Sequence, residues 1–223
     1  MRAFIVLLLF FLPPTLGAYD YYQLVLQWAP TYCTGQKNCR IPSPLNFTIH
    51  GLWPSDSITG KIPACSTAGV AFDPNVIKSL TSELHSEWPN LAGTRKDADF
   101  WEHEWTKHGM CSNLDNFQYF NITLMLKNRV DLLNYLALSQ KKITPSPSAI
   151  YTSSEISAAI QSQTGFIPYM WCKPKPGVST QSLLLEISIC VDMTAENFMD
   201  CPIAMLQKLK LNQCKSQVSI PDK

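Results

Sequence analysis

Apolar positions recur along this chain with two different periods. Tyr21 to Trp28 is dense in aromatic and β-branched residues and ends before Pro30, which predicts a strand. Phe47 to His50 predicts a second strand, closed by Gly51 and Pro54. Leu183 to Val191 is an apolar run of strand length, followed by a turn that Cys190 and Cys201 bracket. Elsewhere the period is helical. Val76, Ile77, Leu80 and Leu84 recur at helical spacing over 73–88, after an Asp73-Pro74 start. Residues 98–108 read as a helix stopped by Gly109. Ile122 to Leu138 is the longest helical pattern, and Ser154-Glu155 opens another that runs to about Gln163. Strands and helices mix without strict βα alternation. The expected class is therefore α+β: a single domain with a largely antiparallel central sheet packed against several helices. Ser55 to Phe72 reads as an exposed loop of the sort that carries recognition.

The N-terminus follows another pattern. Met1-Arg2 precedes an unbroken apolar run, Phe4 to Leu12, with small residues at Thr15 and Gly17. This reads as a secretory signal peptide over residues 1–17, cut after Gly17 or Ala18, with the domain over 18–223. The run is shorter than the ~20 residues a bilayer-spanning helix needs, which argues against an anchor and against a membrane partner. Secretion puts the eight cysteines in an oxidising compartment, and their even number predicts disulfides. They are Cys33, Cys39, Cys65, Cys111, Cys172, Cys190, Cys201 and Cys214. No Cys-x-x-Cys pair occurs, which argues against zinc. Eight cysteines allow on the order of a hundred pairings, and their spacing does not choose among them. Asn46-Phe47-Thr48 and Asn121-Ile122-Thr123 are glycosylation sequons, so Asn46 and Asn121 are candidate glycan sites.

Charge narrows the partner. The chain has 18 Lys and Arg against 17 Asp and Glu, and losing Arg2 with the leader leaves it formally neutral. That excludes a strongly basic protein coating nucleic acid by bulk electrostatics. The charge is uneven, however. Residues 18–120 carry 7 basic and 10 acidic groups, and residues 121–223 carry 10 and 7. Attraction for a polyanion must come from local patches.

Candidate chemistry is concentrated in two segments. Phe47–Pro54 and Phe100–Gly109 hold three of the four histidines and three of the six tryptophans. On a helix, Glu104 and His108 share a face, and His103 with Lys107 forms the adjacent row. A Glu–His pair at that spacing can hydrogen-bond and raise the basicity of the imidazole. His103 and His108 are five apart, about 140° around a helix, so they cannot chelate one zinc as the His-Glu-x-x-His proteases do. His50 must be brought to them from its strand. Two opposed imidazoles suit in-line displacement at phosphorus, one taking a proton and one giving it, with lysine offsetting the growing charge. His85, among polar helical neighbours, reads as a surface residue.

Phe47–Ser55 and Phe100–Ser112 resemble the two signature blocks of the T2 family of secreted ribonucleases, and Gln23–Pro30 resembles that family's first strand. The resemblance covers essentially the whole mature chain. It implies cleavage of single-stranded RNA through a 2′,3′-cyclic phosphate, with no cofactor and no metal, by a secreted monomer. Carried over, His50 is the general acid and His108 the general base. Glu104 and Lys107 stabilise the transition state, His103 binds phosphate, and Trp53 packs beside the site. Gln27, Asn90, Leu91 and Phe100 resemble base-contacting positions, Phe100 by stacking. The resemblance also implies disulfides Cys33–Cys39, Cys65–Cys111, Cys172–Cys214 and Cys190–Cys201.

Within the family the chain looks most like the plant S-RNases of gametophytic self-incompatibility. Such a role would make pollen F-box proteins its partners and residues 55–72 the place they read. The sequence pI of about 7.5 departs from the usual basic S-RNase and keeps an S-like defence or phosphate-recycling role open. A reading from another class is a secreted recognition or storage protein that has lost catalysis. The intact set His50, Glu104, Lys107 and His108 argues against it.

Overall fold

A computed structural model describes residues 19–59, 65, 69–202 and 214–223. The leader reading, and residues 60–64 and 66–68 of the proposed recognition loop, lie outside the described residues.

The centre of the molecule is a mixed sheet of seven described strands, with the path β2-β1-β5-β7-β3 and with β4 and β6 also paired to β5. These are β1 (Tyr21–Trp28), β2 (Phe47–Ser55), β3 (Tyr151–Thr152), β4 (Tyr169–Lys175), β5 (Val178–Val191), β6 (Phe198–Met199) and β7 (Gln217–Ser219). Only the β5–β7 pairing is parallel, so the sheet is largely antiparallel. The helices are α1 (Ala29–Cys33), α2 (Thr81–Glu87), α3 (Asp97–Lys107), α4 (Asn116–Asn128), α5 (Leu132–Ala137) and α6 (Ser153–Thr164). Every residue of β1 is buried, as a strand covered on both faces must be. Leu24, Leu26 and Trp28 of β1 join Ile49 and Leu52 of β2 in the main core, against Trp88, Trp101, Trp105, Tyr119 and Phe120. The fold is α+β, with its helices packed on this sheet.

Some elements differ from the sequence reading. β2 does not stop at Gly51 but runs to Ser55 through Pro54. Proline has no amide to donate, yet β2 is the edge of the sheet and tolerates one. The helix expected over Ile122–Leu138 is two helices. α4 starts earlier, where Asp115 accepts the Gln118 amide in a capping box, and α5 starts afresh where Asp131 caps the Asn134 amide. Residues 73–88 form a turn and a short 3₁₀ segment before α2. β5 begins at Val178, and the strand before it, β4, carries Lys173, Pro174 and Lys175, which hid its pattern.

Four disulfides join Cys33–Cys39, Cys65–Cys111, Cys172–Cys214 and Cys190–Cys201. Asn46 immediately precedes β2, half-buried, and its Oδ1 accepts the Phe47 amide at 2.8 Å. Asn121 lies within α4, partly exposed. Among the described residues no helix is long and apolar enough to cross a membrane.

Candidate active site

His50 owes its position to an irregularity in β2. Opposite β1, Gly51 pairs with Val25 and Ile49 pairs with Leu26, so His50 is the extra residue of a β-bulge. A bulge re-aims a side chain that the ladder would otherwise send to a fixed face. The Trp88 indole holds the bulge by donating to the His50 carbonyl at 2.9 Å. Gly51 follows because nothing larger fits. A Cβ there would lie 2.2 Å from Glu104 Oε2 and 2.4 Å from Trp53 Nε1.

Helix α3 supplies the other half. Its buried face carries Trp101, Glu104 and Trp105, and its exposed face carries His103 and Lys107. It ends at His108, where Gly109 lets the chain turn against Trp105; a Cβ at Gly109 would meet Trp105 Cε3 at 2.2 Å. The two halves meet at the Glu104 carboxyl. His50 Nε2 lies 3.8 Å from Oε1, His108 Nε2 lies 3.9 Å from Oε2, and the Trp53 indole donates to Oε2 at 2.9 Å. Trp53 stands between the imidazoles, 4.9 Å from the His50 ring and 5.1 Å from the His108 ring.

Burial and neighbours push the titrations apart. Burial first, then the charges of His50, His103 and Lys107, lower His108 to about 3, so it is a neutral imidazole at working pH. Its Nδ1 is buried without a partner among the described residues. Burial also works against a charge on His50. There a hydrogen bond to Glu186 and the charges of Glu186 and Glu104 outweigh it, and the pKa is raised. Burial raises Glu104 to about 7, against the pull of His50 and Trp53. His103 is lowered, by burial and then by Lys107, His50 and Arg95.

This corrects one sequence expectation. Glu104 and His108 do share a face, but they do not hydrogen-bond, and His108 is made less basic. Trp53 occupies the carboxyl oxygen that His108 would have used.

Beside the imidazoles lies a cavity of about 230 Å³. Gln27, His50, Asn90, Leu91, Phe100 and His103 line it, so the four residues matched to base contacts converge on one opening. Phe100 presents its ring 5.8 Å from that of His50. Asn90 shapes the rim: its Oδ1 accepts the Ala92 amide at 3.0 Å and its Nδ2 donates to the Lys96 carbonyl at 3.3 Å. Lys107 stays exposed at the end of α3, and its charge reaches His103 and His108.

Sequence reasoning missed Glu186. Its Oε1 is 2.6 Å from His50 Nδ1, and it sits in the middle of β5 between Gln27 of β1 and Trp171 of β4. The available signal was a single carboxylate inside the apolar run Leu183-Leu184-Leu185-Glu186-Ile187.

A buried carboxyl flanked by one imidazole with a raised pKa and one with a lowered pKa has the makings of an acid–base site. Residues 19–201 match the model of the ribonuclease T2 family, and the chain belongs to that family. It is similar to Ribonuclease 3 of Arabidopsis thaliana, 35% identical over 91% of this chain and 90% of the relative. It is equally similar, at 35%, to Ribonuclease S-7 of Nicotiana alata, over 87% of both chains. The structure of RNase NT in complex with 5′-AMP superposes with a TM-score of 0.78 at 33% identity, covering 91% of this chain and 98% of that one. The chain is a T2-type endoribonuclease.

Proposed function

We propose that the enzyme cleaves single-stranded RNA by transphosphorylation, with His108 as base and His50 as acid. The observation that carries this reading is the placement of His50 Nε2 and His108 Nε2 at 3.8 and 3.9 Å from the two oxygens of one buried carboxyl, with their pKa values displaced in opposite directions. Neutral His108 takes the proton of the ribose 2′-hydroxyl. The 2′-oxygen bonds to phosphorus, the bond to the 5′-oxygen breaks, and charged His50 gives its proton to that oxygen. The products are a 2′,3′-cyclic phosphate and a free 5′-hydroxyl. Lys107 and the Glu104 carboxyl, protonated below about 7, offset charge on the phosphoryl oxygens. His103 holds the phosphate at the cavity mouth. The base enters between Phe100, Gln27, Asn90 and Leu91, with Phe100 stacking on it. No step needs a metal or another cofactor.

The test is cleavage of a defined RNA in chelator, with analysis of the ends. Cyclic phosphate termini are expected; 5′-phosphate ends, or full dependence on a divalent metal, would sink the mechanism.

We further read the protein as secreted, glycosylated at Asn46 and Asn121, and monomeric. The leader-like N-terminus and the pairing of all eight cysteines support secretion. The S-RNase role, with pollen F-box partners reading residues 55–72, is supported by the likeness to the Nicotiana S-7 protein. Equal identity to the Arabidopsis ribonuclease supports an S-like role instead. Pistil-confined expression with high allelic variation in 55–72 selects the first; induction in starved or wounded tissue with little variation selects the second.

A further inference from the structure

We propose that Glu186 is a positioning residue for the acid: bound to His50 Nδ1, its carboxylate fixes the imidazole with Nε2 toward the leaving oxygen and keeps the proton there. This rests on the assignment of His50 as acid. Glu186 is only 8% exposed and projects from the central strand of the sheet, whose backbone is paired on both sides at that residue. Among the described residues its side chain hydrogen-bonds to His50 Nδ1, at 2.6 Å. A carboxylate in such a place is costly unless its partner is charged, so the pair favours the imidazolium. Donation from Nδ1 also decides the geometry. It leaves Nε2 as the free proton carrier, facing Glu104 Oε1 at 3.8 Å and the gap toward His108.

Other groups around the acid do not supply this function. Glu104 of α3 also favours a charged His50, but from the reacting side, 3.8 Å from Nε2 and with no bond to Nδ1, and its own burial favours the protonated form. His103 and His108, from α3 and its end, are both pushed toward the neutral form and offer a charged His50 no stabilising charge. Lys173 of β4 acts on Glu186 rather than on His50, and its Nζ donates to the Thr31 and Tyr32 carbonyls at 3.3 and 2.9 Å. Glu186 therefore stands behind the acid; among the described residues nothing equivalent stands behind the base, whose buried Nδ1 has no partner there. That asymmetry assigns the two imidazoles their different roles.

The experiment compares Glu186→Gln with His50→Ala on two substrates. One is a dinucleoside monophosphate, whose leaving alkoxide needs a proton. The other is a nucleoside 3′-(4-nitrophenyl phosphate), whose phenolate leaves without one. Glutamine keeps the shape and can still accept from Nδ1, but it removes the charge. We expect Glu186→Gln to lower kcat on the dinucleotide by ~10–100-fold, part of the ~10²–10⁴-fold a full general acid contributes. On the aryl ester the loss should stay below about threefold. The alkaline limb of kcat/KM should move to lower pH, because the imidazolium loses its stabilising charge. Equal losses on both substrates, or an unmoved limb, would overturn the proposal. If His50→Ala itself loses equally on both, the acid assignment fails instead. If the glutamine variant does not fold, NMR titration of His50 in the wild-type protein decides: titration above 6.5 supports the proposal, and titration below it overturns it.

Discussion

Two histidines in this molecule make the same short contact in different surroundings. His50 and His85 each place Nδ1 2.6 Å from a carboxylate oxygen, of Glu186 and Asp97 respectively. Both also lie against an aromatic ring, His50 beside Trp53 and His85 5.1 Å from Trp101. The difference is in what else each carboxylate does. Asp97 also accepts from Arg40 at 3.0 and 3.2 Å and from the Asn90 amide at 2.8 Å, so it serves as an anchor for the chain around it. The His85 side chain is 53% exposed. Glu186 is committed to His50, whose far nitrogen faces a second carboxyl and a cavity. A histidine–carboxylate pair becomes a proton donor when its charge is poorly solvated and its free nitrogen is aimed; otherwise it is a clasp.

This contrast can be broken most sharply by alanine. His50→Ala and His108→Ala should each lower kcat/KM by ~10²–10⁴-fold or more on RNA, measured by initial rates. Gly51→Ala comes next. Its Cβ would drive Glu104 and Trp53 from their contact, so a ~10–100-fold loss of kcat and a lower Tm are expected, the strain of overpacking being ~1–3 kcal/mol. The pH profile sharpens the assignment without any mutation. His108, the proposed base, is pushed down to about 3, and His50, the proposed acid, is raised from its ordinary 6.5. kcat/KM should thus hold through mildly acidic pH and fall on the alkaline side as His50 loses its proton. A steep fall between pH 7 and 5 would reverse the roles.

At the clasp the effects should be smaller and of another kind. Asp97→Asn weakens the ties to Arg40, His85 and Asn90 and should cost ~1–3 kcal/mol in denaturant unfolding. Because Asn90 lines the cavity, KM should rise while kcat changes little. His85→Ala should leave kcat/KM within about twofold, since His85 is absent from the cavity lining and from the Glu104 cluster.

What could be read from the chain follows the same division. β1 is legible to the residue because its run of apolar and aromatic side chains is buried throughout. α3 is legible because Gly109 marks its end, one residue beyond where the helix gives way at His108. His85 reads as a surface residue and is one, although its tie to Asp97 is invisible in sequence. The bulge is also invisible, since Thr48-Ile49-His50-Gly51 has no mark separating an extra residue from a strand's end. Glu186 escapes for a related reason: its partner is 136 residues away, and only the pairing of β1 with β5 brings the two together. The fate of Glu104 depends on Trp53, which local i,i+4 reasoning does not include.

The bulge at His50 also makes the length of β2 a functional quantity. Substitutions along Phe47–Ile49 alter packing by degrees. Deleting any one residue before His50 would let the ladder heal, place the imidazole opposite Leu26 where Ile49 now sits, and turn it toward the hydrophobic interior. A homologue or library member that changes this segment by one residue should keep its sheet and lose its acid, so tolerance to indels here is a readout separate from tolerance to mutation.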